Sequence, residues 1–290
     1  MGKKMILGLV FALGANMAFA DNGCFPENDL KFSHKTKSAN MSKTEFDQVI
    51  KRALDVYGPI VKKKYGKKLI IDGEWENDRV NAHATRDDHN NPVISLLGGM
   101  ARHPEMSKDG LMLIICHEIG HQFGGAPKQF RGSSSLRSWS SAEGQADYFA
   151  ATKCLPKMFA DTEETKLVNS MSDEESFEDA RKKCKDDICV RIVLAGYSVG
   201  KVFASLKTGW EPPRIGEQDR FQVPMTEYKH PRPQCRLDTY VSGANCEVDR
   251  EKNFDDVDPK IGACYRAENG YDDARGARPR CWYHPEVYFK

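Results

Sequence analysis

The chain has no CxxC pair among its nine cysteines, no internal repeat, no low-complexity tract and no marked excess of either charge. The first absence argues against a zinc site built from cysteines, which relies on that spacing. The lack of a repeat excludes a solenoid. With 43 Lys and Arg against 42 Asp and Glu, the basic face of a nucleic-acid binder is missing too, so no nucleic-acid partner is expected. No spanning helix is expected after residue 20, and the mean hydropathy of -0.61 agrees, so neither is stable membrane insertion. What remains is an ordinary globular composition over 290 residues, 40% hydrophobic and 29% charged. That is enough for one or two domains.

The first twenty residues have the layout of a cleaved export signal. Lys3 and Lys4 form a positive start, Met5 to Leu13 an apolar run, and Ala18-Phe19-Ala20 a small-x-small cleavage pattern. The apolar run is short for a membrane anchor, and Ala20-Asp21-Asn22-Gly23 before Cys24 is not a lipobox. A periplasmic or extracellular chain beginning at Asp21 is expected. Nine cysteines fit that oxidising destination. An odd count leaves one over. Cys116 is the expected free thiol, because it lies on the apolar face of a helix, where a thiol packs as a small hydrophobe. The other eight allow four disulfides of open pairing, with local pairs such as Cys235–Cys246 and Cys264–Cys281 among the options.

Helical periodicity covers 43–58, with Ser42 or Thr44 near the cap. Strand-like runs follow at 68–72, 80–86 and 92–97, and Asp87-Asp88-His89-Asn90-Asn91 predicts a hairpin between the last two. Ser107 and Gly124-Gly125 bracket a helix, and Ser140-Ser141 opens another, expected to reach about Leu155. Residues 161–183 are highly charged and suggest solvated helix. Cys189–Leu206 is mostly apolar. From 235 onward the richness in Pro, Gly and Cys suggests little regular structure, held by disulfides. The expected organisation is a signal at 1–20, a catalytic domain at 21–234, and a disulfide-rich extension at 235–290 packed on it.

The chemistry centres on His117-Glu118-Ile119-Gly120-His121. Residues four apart on a helix share a face, so both imidazoles can reach one metal ion. Glu118, turned about 100° from His117, sits beside that ion, where a general base for a metal-activated water belongs. Five residues with three fixed positions also arise by chance. Here, though, they follow Leu111-Met112-Leu113-Ile114-Ile115-Cys116, where two His and a Glu would be costly without partners. A catalytic zinc takes three protein ligands and keeps a fourth position open. A third His at position 127 is excluded by Pro127. Glu143 on the following helix supplies the third ligand instead, and Asp147, on the same face, would accept a hydrogen bond from His117 and fix its tautomer.

HEIGH followed by Glu143-x-x-Ala146-Asp147 resembles the gluzincin metallopeptidases, in particular the soluble core of the HtpX-type and CAAX-prenyl-type endopeptidases. Two weaker matches agree. Asn81-Ala82-His83-Ala84 is similar to the family's Asn-Ala-x-Ala element, and His230-Pro231 with Arg236 is similar to its His-Pro pair and following Arg. The resemblance spans roughly 75–240. It implies an α+β, zincin-like (minigluzincin) core with a small mixed sheet and an active-site helix. It also implies that His230 stabilises an oxyanion, that Asn81 binds substrate, and that Arg236 is a supporting cation. Where the best-known members are multi-span membrane enzymes, this chain departs from them. The expected function is zinc-dependent hydrolysis of peptide bonds in a protein or peptide substrate, with one catalytic Zn2+ and Glu118 as base. The 92–97 strand is expected to pair with extended substrate, and residues 21–42 to cover part of the cleft. The alternative is a catalytically inactive, zinc-stabilised envelope binding protein on a peptidase fold.

Overall fold

The computed structural model describes residues 23–36, 40–130, 136–167, 175–265 and 275–285. The expected signal and its cleavage point lie outside them. The architecture is α+β. Helix α1 (Lys43–Tyr65) leads into a small sheet of β1 (Ile70–Glu74), β2 (Ala82–Arg86) and β3 (Pro92–Leu97). Ser42 caps α1 through a reciprocal capping box with Glu45, and Gly66 ends it in the left-handed region at φ 66°. The helix runs past its expected end, through Gly58 and Pro59, because Val61 on the next turn is buried in the core.

The sheet order is β1-β3-β2, with β1 parallel and β2 antiparallel to β3. The expected hairpin forms between β2 and β3. Asp87 Oδ1 closes its turn by accepting from the His89 and Asn91 amides at 2.9 and 2.8 Å. Since β3 is central, both its edges are taken. The sheet's edge strands are β1 and β2, which corrects the expectation placed on 92–97.

After the short α2 (Gly98–Ala101) comes α3 (Lys108–Phe123), capped by Ser107, whose side chain accepts from the Gly110 amide at 2.9 Å. Every residue from Gly110 to Gln122 is buried, as expected of a helix walled on all sides. The ribbon of β4 (Lys128–Phe130) and β5 (Arg137–Ser141) follows. Because β5 takes Ser140 and Ser141, the next helix, α4, starts only at Glu143 and runs to Phe149. A π turn (Ala150–Cys154) and α5 (Leu155–Phe159) continue it. A Cβ on Gly120 would meet the Ala146 carbonyl at 2.7 Å, so glycine lets α4 lie directly on α3.

The charged region yields α6 (Glu163–Leu167) and α7 (Glu175–Lys183); Phe177 and Ala180 of α7 are buried, so its face is not wholly solvated. Helix α8 (Asp187–Ser205) is long and apolar enough to cross a membrane by length and composition, yet it packs on α3 and α9. Helix α9 (Pro233–Ala244) corrects the expectation of little regular structure beyond 235. Pro233 stands at its start, where a missing amide costs nothing, and Leu237 and Tyr240 bury its inner face. The composition boundary at 234/235 therefore falls inside a core helix.

Four disulfides join Cys116–Cys154, Cys184–Cys189, Cys235–Cys281 and Cys246–Cys264, leaving Cys24 free and buried. Cys116 is not the odd thiol. The π turn brings Cys154 against α3, with 5.6 Å between the two Cα atoms. The local pairs Cys235–Cys246 and Cys264–Cys281 do not form either, because the tail folds back across α9. Four disulfides point to an oxidising, exported setting.

Candidate metal centre

Helix α3 delivers His117 and His121 on one face, and the first turn of α4 delivers Glu143 opposite them. His117 Nε2 and His121 Nε2 are 3.1 Å apart. Glu143 Oε2 lies 3.3 Å from the first and Oε1 3.4 Å from the second. Donors about 2.0–2.1 Å from a tetrahedral zinc would stand about 3.3 Å from one another, so this triangle has the right size for one ion. All three residues are buried.

The outward nitrogens are held firmly. His117 Nδ1 donates to Asp147 Oδ1 at 2.7 Å, and His121 Nδ1 donates to the Ser141 carbonyl at 2.9 Å. With both rings neutral, as metal ligation requires, each Nε2 is left as an acceptor toward the cluster. Asp147 is in turn gripped by Arg236 through two bonds of 2.8 and 2.7 Å and receives the Tyr240 hydroxyl at 2.7 Å. A buried carboxylate needs such company. Burial works against its charge, but Arg236 and His117 hold its carboxyl far below the usual range.

The other groups divide by charge. Burial opposes ionisation of Glu143, yet His230 and His121 bring it down to about 2. Burial lowers His121 to about 4. It also disfavours the imidazolium of His117, but the acidic groups of Cys24 and Asp147 outweigh it and raise His117 well above its ordinary value. Burial pushes Glu118 up to about 8. Neither Glu118 oxygen has a hydrogen-bond partner among the described residues, an orphaned pair that a cation and a water would satisfy.

His230 Nε2 lies 3.5 Å from Glu143 Oε2 and donates to the Gly23 carbonyl at 2.9 Å. It thus borders the centre. Asn81 stands at the start of β2, with both ends of its amide on Phe25 backbone. Arg236 reaches the centre through Asp147, His117 and Cys24. Of the residues singled out in the sequence, all but Asn81 are thus at or beside one centre; Asn81 holds the Phe25 backbone. Three participants escaped it: Cys24, Tyr240 and the Ser141 carbonyl. Tyr240 was findable, four residues after Arg236 on the same helix face. Cys24, whose ligand atom lies within 4.8 Å of those of His117 and Glu118, gave no local signal.

Two His/Cys/Asp/Glu groups at this centre could hold a metal ion. A third, Asp219 with Cys235 and Cys281, has both sulfurs committed to a disulfide. No family model, no curated protein and no solved structure matches the chain.

Proposed function

We propose that the chain is an exported zinc metalloendopeptidase of zincin-like, gluzincin type, acting in the periplasm or outside the cell. The observation that supports this most is the His117–His121–Glu143 triangle with the orphaned Glu118 carboxylate beside it. Bound there, a zinc ion would supply positive charge, a water ionising near neutral pH and polarisation of the scissile carbonyl.

The chain's own residues do the rest. Glu118 takes the proton from the attacking water and passes it to the leaving amine. His230 donates Nε2–H to the oxyanion of the tetrahedral intermediate. Asn81 and the outer edge of β2 hold an extended peptide. Asp147, backed by Arg236 and Tyr240, keeps His117 in the tautomer that presents Nε2.

A proteome-wide cleavage profile of the wild type against Glu118→Gln tests this reading. Glu118→Gln is expected to retain zinc and lose all cleavage sites. Equal cleavage by both would refute Glu118 as base. A second reading is supported by the burial of His117, Glu118 and Glu143: a zinc-stabilised envelope binding protein without turnover. It requires zinc in both proteins and cleavage in neither, even with the cleft opened as described below.

A further inference from the structure

The first described residues lie in the cleft as a bound peptide would. Gly23, Cys24 and Phe25 are buried along the outer edge of β2. The Cys24 amide donates to the Ala82 carbonyl at 2.9 Å. The Phe25 amide donates to Asn81 Oδ1, and Asn81 Nδ2 donates back to the Phe25 carbonyl, both at 3.1 Å. Arg236 Nη1 donates to the Cys24 carbonyl at 3.0 Å, and His230 Nε2 to that of Gly23 at 2.9 Å. Every peptide group from the Gly23 carbonyl to the Phe25 carbonyl is therefore engaged by a residue of the candidate site or by the strand next to it. Farther on, Lys31 lies antiparallel to Arg79, and the Phe32 amide donates to the Asp78 carbonyl at 2.9 Å. The segment thus lies along β2 and the residues just before it through isolated backbone bonds, the contacts by which a sheet edge holds a peptide.

Two side-chain observations point the same way. The Cys24 thiol, the single cysteine outside a disulfide, is fully buried beside His117 and Glu118. The Glu118 carboxylate there has no hydrogen-bond partner among the described residues.

The geometry points to residues 23–32 as the resident occupant of the peptide cleft, with the Gly23–Cys24 bond in the position of a scissile bond and the chain latent until this segment is displaced. The inference rests on the peptidase reading above and deepens it. The occupant also marks the substrate class: an extended peptide with a small residue after the scissile bond and an aromatic one next. Phe25 fills that second place, its ring 5.6 Å from Phe203. Gly23 is essential to the seat. Its φ is +94°, and a Cβ there would meet Asn81 Oδ1 and His83 Nδ1 at 2.6 Å and the Ala82 carbonyl at 2.7 Å.

Gly23→Val should therefore unseat the segment, Phe25 included, since the added side chain strikes Asn81, which holds the Phe25 backbone; Gly23→Ala is the milder form if Val disturbs folding. The first measurement is the rate at which a disulfide reagent labels Cys24 in the metal-free full chain. Wild type should label slowly and Gly23→Val about tenfold faster or more, as local opening becomes easier. Wild-type labelling as fast as in urea would overturn the proposal. The second uses zinc-loaded protein and a hydroxamate followed by a small residue and phenylalanine. It should accelerate labelling of wild-type Cys24 and bind Gly23→Val at least tenfold more tightly, because the variant no longer holds a competing segment in place. Equal binding to both proteins with Cys24 still protected would also overturn it. If neither protein binds zinc, the peptidase reading fails by itself, and the metal-free labelling still decides whether the segment is seated.

Discussion

His117 and His121 sit one turn apart on α3, yet the regions behind them differ in kind. Behind His117 lies a charged stack: Asp147 at 2.7 Å, itself held by Arg236 and Tyr240 from α9. Behind His121 lie only neutral groups, the Ser141 carbonyl at 2.9 Å and the Ser140 hydroxyl at 3.1 Å. Cys24 and Asp147 raise His117 well above its ordinary value against burial, whereas burial leaves His121 at about 4. One histidine is thus fixed by a long-range ion network and the other by the strand that precedes α4. Damage to the first should cost folding as well as metal binding, and damage to the second should cost little of either.

Arg236→Met tests the charged side hardest. It leaves the Asp147 carboxylate buried without its cation, and the expected loss is about 3–5 kcal/mol in urea unfolding. A loss below about 1 kcal/mol would erase the contrast between the two sides. Chelation removes what both sides serve. With free zinc a thousandfold above its dissociation constant, stripping it should cost about 4 kcal/mol, read as a fall in Tm that added zinc reverses.

The Cys116–Cys154 disulfide stiffens α3 immediately before His117. Replacing both cysteines by Ala should cost about 2–4 kcal/mol by the same unfolding measurement, and the loss should fall on stability before zinc affinity. Ser140→Ala is the mildest change. It removes one neutral hydrogen-bonding group near His121 and should cost about 1 kcal/mol or less. A zinc affinity lowered as much as by Asp147→Asn, for which about 10–100-fold is expected, would show the two supports to be equivalent.

The same contrast explains what the sequence made legible. The HEIGH turn, Glu143 and Asp147 announce themselves because fixed helical spacing puts each pair on one face, and the caps at Ser42 and Ser107 mark their helices in the same way. The hairpin between β2 and β3 was legible from its Asp-Asn-rich turn. The disulfides were not. Cys116 looked like a buried thiol because nothing local reveals that a π turn carries Cys154 against α3. The central place of β3 was equally hidden, since strand order is a long-range property. Helix α9 was masked by Pro and Cys residues that usually mark loops, although Pro233 stands where a helix accepts proline. Cys24 was invisible because its place depends on a chain segment returning to an edge strand more than fifty residues away.

The most direct test of the account is zinc analysis of three purified proteins: wild type, Glu118→Gln and Glu143→Gln. One zinc per chain is expected in the first two and a much weaker site in the third, since Glu143 would close the ligand triangle and Glu118 stands beside it. Absence of zinc from the wild type, or equal affinity in Glu143→Gln, would contradict it.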